Sequence, residues 1–123
     1  MANVLFICVR NAGTSQLAQA LRERLGGSAR SAGSHPVDEL DGAVAEALEE
    51  IGIDISGRAP RAVAKGDLDW ADLVVTMGGA DAGLVPSGTE HLEWNLADPV
   101  GLCLEEAREL RAVIEARVGA LPV

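Results

Sequence analysis

A short segment near the amino terminus has the residue types of an anion-binding loop headed by a nucleophile. This Cys8 loop (residues 8–15) contains Asn11 and Gly13 and links an apolar run to a predicted helix. Backbone N–H groups at a helix start lack partners within the helix, and the helix dipole adds positive potential, so a tetrahedral oxyanion fits there. The same potential favours a thiolate, which makes Cys8 a candidate nucleophile.

Each polar residue of the Cys8 loop has a predicted role. Ser15 is expected to donate a hydrogen bond to the thiolate, and Asn11 to tie the loop to itself, since asparagine tolerates a left-handed backbone. The alternative is a buried structural cysteine followed by an ordinary turn, because free cysteine is commonly a small buried hydrophobe. The predicted oxyanion-binding residues are Arg10, Asn11, Ala12, Gly13, Thr14 and Ser15.

Predicted strands alternate with predicted helices along the chain. Val-Leu-Phe-Ile at 4–7 is a continuous apolar run typical of a strand buried on both faces, and leucines at helical spacing predict a helix over 15–25. The later elements are a strand over 28–32, a helix starting at Pro36 with Ser34 as its cap, a loop over 54–69, strands over 73–77 and 91–94, and a helix from Leu104 onward.

This alternation predicts an α/β fold in a single domain over 1–123. The expected architecture is a three-layer sandwich, with a four-stranded parallel sheet and helices on both faces. In such sheets ligands bind at the carboxyl ends of the strands. The loops after the first, third and fourth strands are therefore the places where chemistry is expected.

Composition narrows the classes of partner and compartment. The 123 residues are 48% hydrophobic and carry a formal net charge of −9, which argues against nucleic acid and against an anionic membrane surface. Two cysteines, Cys8 and Cys103, cannot form a disulfide framework. With no secretory leader pattern, the expected compartment is the reducing cytoplasm. His35 and His91 have no metal-ligand spacing around them, so no metal site is expected.

The pattern Cys8-x-x-Asn11-x-Gly13-x-Ser15 resembles the active-site loop of the low-molecular-weight protein tyrosine phosphatase superfamily. The fuller match, Cys8-Val-x-Asn-Ala-Gly-x-Ser-Gln-x-Ala18, is closest to its arsenate reductase branch. Further similar segments follow in family order: Ser31-Ala-Gly-Ser34, Ile51-Gly-Ile-Asp-Ile-Ser56, Val74-Val-Thr-Met-Gly78 and Trp94-Asn-Leu-Ala-Asp98-Pro99-Val-Gly101. The resemblance therefore covers nearly the whole chain.

The resemblance implies roles for residues outside the loop and exposes one departure within it. Asp98 matches the general acid that protonates a leaving oxygen, although an Asp-Pro pair also starts ordinary turns. The family's loop ends in Cys-x5-Arg, and the arginine position is Thr14 here. Threonine cannot grip two oxygens of an anion as arginine does. Arg10 is the nearby residue expected to supply the missing positive charge.

A second departure concerns the redox cysteines that the arsenate reductase branch carries after the third strand. The corresponding stretch, 78–83, contains none. No bound cofactor is expected, and a reductase would need an external thiol, either of low molecular weight or a redoxin. Because Cys103 follows the Asp98 loop, one interpretation is a thiol that resolves Cys8 as a disulfide. The plainer interpretation is a half-buried residue near the start of the last helix. Arg58 and Arg61 are either solvated or lend one cation to the anion.

Together with the residues of the Cys8 loop, the resemblance implies an arsenate reductase-like oxyanion enzyme that uses Cys8, Ser15, Arg10 and Asp98 on arsenate, phosphate or a phosphate ester. The first alternative is a catalytically degenerate relative that binds an oxyanion or a partner protein without turnover. The second is a low-molecular-weight phosphatase. The chain has no tyrosine and no aromatic residue after Asp98-Pro99 to stack on a phosphotyrosine ring, which disfavours a peptide substrate.

Overall fold

A computed structural model describes residues 2–97 and 100–121. The prediction for Asp98 as a general acid concerns a residue outside that range. The sheet has four parallel strands in the order β2-β1-β3-β4. The strands are β1 (Asn3–Cys8), β2 (Ser28–Gly33), β3 (Leu73–Met77) and β4 (Glu90–Trp94). This confirms the predicted four-stranded parallel sheet.

Helices cover both faces of the sheet, and each face has its own core. The helices are α1 (Thr14–Arg24), α2 (Gly42–Glu49), α3 (Lys65–Trp70) and α4 (Leu104–Gly119), with a 3-10 turn over Ala82–Leu84. Alternate residues of β1 point to opposite faces, so Val4 and Phe6 pack with α1, α2 and α4, whereas Leu5 and Ile7 pack with α3. No helix in the described part of the chain is long and apolar enough to cross a membrane.

The second helix begins later than the sequence predicts. Pro36 is not a first helical residue, and Ser34 is not a cap. The N–H groups of Ser34 and His35 instead donate to carbonyls of the Cys8 loop, which holds this segment in a non-helical conformation. The helix starts at Gly42, after Asp41, whose carboxylate accepts the N–H groups of Ala43 and Val44 at 3.0 and 3.4 Å.

The predicted loop over 54–69 contains the start of a helix. Helix α3 has six residues, and Gly66 gives it weak intrinsic propensity. Tertiary contacts explain its presence, since Leu68 and Trp70 pack against the second core while the carboxylate of Asp67 accepts the Ala64 N–H at 3.0 Å. A helix of six residues is too short to show a helical periodicity in the sequence.

One ion-pair cluster joins α2 to α4 and predicts a pH-dependent stability. Hydrogen bonds from Arg108, opposed by partial desolvation and aided by Arg111, lower the pKa of Glu50 from 4.5 to about 2. A carboxylate with a depressed folded-state pKa stabilises fully above its unfolded pKa and loses that contribution as the pH falls through the folded value. Stability should therefore decline as the pH falls from 4.5 to about 2.

Glu50→Gln should lower the thermal midpoint at neutral pH by a few degrees and change it little near pH ~2. The variant should therefore lose less stability than the wild type as the pH falls. Thermal unfolding followed by circular dichroism measures it. Glu49→Gln, at the neighbouring exposed carboxylate, is the control. Equal pH profiles for wild type and Glu50→Gln would show that the cluster contributes nothing.

Candidate oxyanion site

The Cys8 loop lies at the carboxyl end of the central strand β1, where the sheet order changes direction. Cys8 is the last residue of β1 and is fully buried. Helix α1 begins at Thr14. Its N-cap residue is Gly13, which has no side chain to accept the first N–H groups of the helix. No acidic residue occupies the first turn. The helix therefore presents an uncapped, electropositive start beside the thiol.

The outer side of the loop is fixed by a second segment, residues 34–41. Carbonyls of the loop accept four backbone N–H groups from it: Ser34 to Cys8 (3.0 Å), His35 to Val9 (2.8 Å), Val37 to Arg10 (3.2 Å) and Asp41 to Ala12 (2.9 Å). In a trans peptide the carbonyl and the following N–H point in opposite directions. The N–H groups that follow these carbonyls, those of residues 9, 10, 11 and 13, therefore point away from the 34–41 segment, and the N–H of Asn11 donates to Cys8 Sγ.

Gly33 makes this close approach of the two segments feasible. A Cβ atom at that position would lie 2.6 Å from the Val9 carbonyl oxygen and 3.1 Å from Asn11 Cβ. Both atoms belong to the Cys8 loop and cannot move away without disturbing it. Gly33, in the Ser-Ala-Gly-Ser segment, is therefore a packing requirement of the site.

The sulfur of Cys8 lies within hydrogen-bond distance of a backbone N–H and of a hydroxyl. The backbone N–H of Asn11 donates to Sγ at 3.2 Å, and Ser15 Oγ lies 2.8 Å from Sγ. Either Ser15 or Cys8 can be the donor in the second contact when the thiol is protonated. A thiolate accepts both, and hydrogen bonds to an ionised acceptor are the stronger kind. The geometry therefore favours the nucleophilic form.

The direction of the Ser15 hydrogen bond follows from a fixed backbone donor. The N–H of Arg61 donates to Asn11 at 3.0 Å, so the atom there must be the carboxamide oxygen Oδ1. The other carboxamide atom is then Nδ2, which donates to Ser15 Oγ at 2.8 Å. The hydroxyl hydrogen of Ser15 is consequently left for the sulfur of Cys8.

Asn11 is the centre of this network and has an unusual backbone. Its φ is 55°, in the left-handed region, and no other non-glycine residue of the described ranges has a positive φ. Gln16 secures it further, because Gln16 Nε2 donates to both the backbone oxygen and Oδ1 of Asn11, each at 3.2 Å. Both Asn11 and Gln16 are buried. The turn at Asn11 is therefore held by donors from α1 and from the segment that contains Arg61.

Two site roles escaped the sequence analysis: the role of Gln16, and the backbone role of Arg61, whose side chain was expected to be either solvated or a cation for the anion. Gln16 occurs in the family-like segment, where its spacing one residue after Ser15 gave the only signal. Arg61 acts through its backbone N–H, which every non-proline residue possesses, so no side-chain pattern could reveal it. Its guanidinium binds Asp67, and that of Arg58 binds Glu23, so both are engaged in ion pairs.

The remaining predicted residues are placed as follows. Ala12 is buried, Arg10 is half-buried, and Thr14 is fully buried with a hydroxyl that has no hydrogen-bond partner among the described residues. Whether Arg10 and Thr14 contact an anion stays a prediction. Cys103, expected to be half-buried, is exposed as the N-cap of α4.

The side chains of the two histidines form hydrogen bonds outside the Cys8 loop, although the backbone N–H of His35 donates to the Val9 carbonyl. His35 is exposed, and His91 Nε2 lies 2.7 Å from Thr76 Oγ1. Within residues 2–97 and 100–121, no group of three histidine, cysteine or acidic side chains is arranged to hold a metal ion. The site described here is therefore built from the Cys8 loop and its supports.

Comparison with known proteins places the chain. The family model "Low molecular weight phosphotyrosine protein phosphatase" matches residues 3–122. A Halobacterium salinarum protein named "Putative arsenate reductase" is 39% identical, over 92% of this chain and 85% of its own. Among solved structures, an arsenate reductase in the phosphate binding state has a TM-score of 0.83 and 30% identity, over 97% of this chain and 95% of that one.

A second solved structure shares less of its length. The Corynebacterium glutamicum thioredoxin-dependent arsenate reductase has a TM-score of 0.79 and 35% identity over 97% of this chain. The chain spans only 59% of that protein's chain. Sequence and structure agree across nearly the whole length of this chain. The chain belongs to the low molecular weight phosphotyrosine protein phosphatase family.

Proposed function

We propose that the chain is an arsenate reductase in which the Cys8 thiolate attacks arsenate bound by the Cys8 loop. The observation that carries the proposal is the directed hydrogen-bond chain from Arg61 through Asn11 and Ser15 to the sulfur of Cys8. The chain directs the Ser15 hydroxyl hydrogen at the sulfur, which also accepts the Asn11 N–H and lies near the uncapped start of α1. Similarity to proteins described as arsenate reductases supports arsenate over other oxyanions.

In the first step Cys8 Sγ forms a bond to arsenic, and one arsenate oxygen leaves as water. Backbone N–H groups of the Cys8 loop, within residues 10–15, are proposed to hold the remaining oxygens and to stabilise their charge. Asp98 is proposed to protonate the departing oxygen, and Arg10 to add positive charge near the anion. Ser15 keeps its hydrogen bond to the sulfur until the sulfur–arsenic bond replaces it.

In the second step a thiolate attacks Cys8 Sγ and forms a disulfide with it. The electron pair of the sulfur–arsenic bond passes to arsenic, which leaves as arsenite, so arsenic gains two electrons and two sulfurs lose one each. A further thiol then reduces the disulfide. Because residues 78–83 contain no cysteine, we propose that these thiols come from outside the chain. Such a thiol supply fits a reducing cytoplasm.

The catalytically degenerate alternative rests on Thr14. Family catalysis uses an arginine at that position, and losing a comparable cationic clamp costs on the order of 10³-fold or more in rate. A binding protein would retain the anion and never form the sulfur–arsenic bond. A phosphatase, the third candidate, would form a bond between sulfur and phosphorus and release it to water without any reductant.

A coupled reductase assay separates these three functions. Purified protein with NADPH, and with either thioredoxin and its reductase or glutathione, glutaredoxin and its reductase, should oxidise NADPH only when arsenate is added. Arsenite should accumulate in a 1:1 ratio to the NADPH consumed, since reduction of one arsenate to arsenite takes up two electrons and oxidation of one NADPH supplies two.

Other outcomes assign the alternatives. Hydrolysis of p-nitrophenyl phosphate without arsenate-dependent NADPH oxidation would replace the reductase by a phosphatase. Phosphate binding with neither activity would establish the degenerate binding protein. A control without the chain measures direct reduction of arsenate by the thiols.

A further inference from the structure

A buried carboxylate behind the Cys8 loop is fully engaged by donors. Asp67, only 4% exposed, accepts hydrogen bonds from Arg61 Nη2 (2.6 Å), Arg61 Nη1 (2.9 Å) and the Ala64 N–H (3.0 Å). Arg30 Nη1 lies 3.4 Å away, and its guanidinium also stacks 4.3 Å over the Trp70 ring. An Arg–carboxylate pair with two parallel bonds is geometrically demanding. Asp67 therefore fixes where Arg61 can lie.

The charge of Asp67 is maintained despite its burial. Burial alone raises the pKa of this carboxyl, but the hydrogen bonds from Arg61 and Ala64, with the nearby guanidinium charges, hold it below the ordinary value. The pair with Arg61 is therefore ionised at neutral pH. Removing either charge would leave the other group poorly satisfied.

The backbone of Arg61 connects this ion pair to the site. Its carbonyl accepts the Gly33 N–H at 2.8 Å, and the Val63 N–H donates to the Gly33 carbonyl at 3.1 Å. Its own N–H donates to Asn11 Oδ1 at 3.0 Å. The residue thus joins the end of β2 to the Cys8 loop. Among the described residues, Arg61 supplies the backbone donor to Asn11 Oδ1.

We propose that Asp67 is a positioning residue for Cys8, acting through Arg61, Asn11 and Ser15. By holding the Arg61 side chain, Asp67 keeps the Arg61 N–H directed at Asn11 Oδ1. That N–H determines the orientation of the Asn11 carboxamide, which in turn leaves the Ser15 hydroxyl hydrogen for the sulfur. The inference rests on the proposed function in taking the Cys8 loop as the reactive site.

A positioning role differs measurably from a role in stability alone. If Asp67 only held α3 in place, its loss would lower the thermal midpoint but leave the folded site unchanged. If Asp67 positions Cys8, the folded protein itself should bind anions less well and form the thiolate less readily. Both readings are taken well below the thermal midpoint, where each variant is folded by circular dichroism.

The experiment uses the full chain in a Cys103→Ser background, so that Cys8 is the only thiol. Variants are Asp67→Asn and Arg61→Gln, with Arg61→Lys as the conservative variant that retains a cation for Asp67. Asp69→Asn is the matched control, because Asp69 lies on the same helix in an exposed pair with Lys65. Ultraviolet absorbance of the thiolate against pH and calorimetric binding of inorganic phosphate are the readouts.

Asp67→Asn and Arg61→Gln should each move the midpoint of thiolate formation upward by about one pH unit and weaken phosphate binding about tenfold, as expected for one misdirected charge-assisted hydrogen bond. Arg61→Lys should recover part of both changes, and Asp69→Asn should match the background protein. If Asp67→Asn does not fold, Arg61→Gln tests the same link, because the Arg61 side chain is 44% exposed.

A lowered thermal midpoint with unchanged thiolate profile and phosphate affinity would overturn the inference. Its failure is distinguishable from failure of the proposed function. If the background protein does not bind phosphate, the reductase proposal fails, while a shifted thiolate profile in Asp67→Asn still upholds the positioning role. If the background protein binds phosphate and the variants bind it equally well, with unchanged thiolate profiles, the positioning role alone is wrong.

Discussion

Cys8→Ser should abolish arsenate-dependent oxidation of NADPH, with a loss of at least roughly 10⁴-fold in kcat, because a serine hydroxyl cannot form the sulfur–arsenic bond or the later disulfide. Serine differs from cysteine only in having oxygen in place of sulfur. Its hydroxyl can keep the contacts with Ser15 and the Asn11 N–H. The fold and the anion-binding N–H groups should therefore persist. Phosphate affinity should change by no more than a few-fold.

The matched control is Cys103→Ser, at the other cysteine of the chain. Because Cys103 is exposed and is proposed to take no part in the relay, this variant should retain wild-type turnover with an external thiol system. Equal loss in both variants would replace the external thiol by an internal Cys8–Cys103 disulfide. Full activity in Cys8→Ser would remove Cys8 from the mechanism.

Thr14→Arg is expected to have the second largest effect, in the direction of gain. An arginine at this position can hold two oxygens of the anion at once, which threonine cannot do. Arsenate reduction should rise on the order of 10²–10³-fold, toward the range that cationic clamps supply in phosphoryl transfer. Phosphate should bind about tenfold more tightly, since the clamp acts more strongly on the transition state than on the bound anion.

Two further substitutions identify the cause of that gain. Thr14→Lys adds the charge without the planar fork and should recover only part of the effect. Thr14→Val removes the buried hydroxyl, which lacks a partner in the described structure, and should weaken phosphate binding if that hydroxyl donates to the anion. Weaker phosphate binding in Thr14→Arg would show that position 14 does not face the anion.

Local patterns in the sequence were sufficient to predict the two strands that are buried on both faces and the first helix. The apolar runs at β1 and β3 and the leucine spacing of α1 depend only on residue type and periodicity. The start of α2 could not be predicted, because the N–H groups of Ser34 and His35 are used by carbonyls distant in the chain. Helix α3 depends in the same way on Asp67 and on packing against the second core.

In the candidate site, too, the sequence predicts the local contacts and does not predict the long-range ones. Side chains within the loop, namely Cys8, Asn11 and Ser15, lie together in the structure because the sequence places them on one turn. The support behind the loop comes from residue 61, fifty residues further along, and acts through a backbone N–H. Such contacts have no signature in residue type. The tight approach that Gly33 permits is visible only once the segments are seen together.

Alkylation of Cys8 by iodoacetamide tests the central claim, a reactive thiolate in an oxyanion site, most directly. In Cys103→Ser protein the rate is measured against pH, with and without arsenate. The account predicts reaction well below pH ~8.5, where an ordinary cysteine ionises, and strong protection by arsenate. Reaction only at alkaline pH with no effect of arsenate would contradict it and leave Cys8 as a buried structural cysteine.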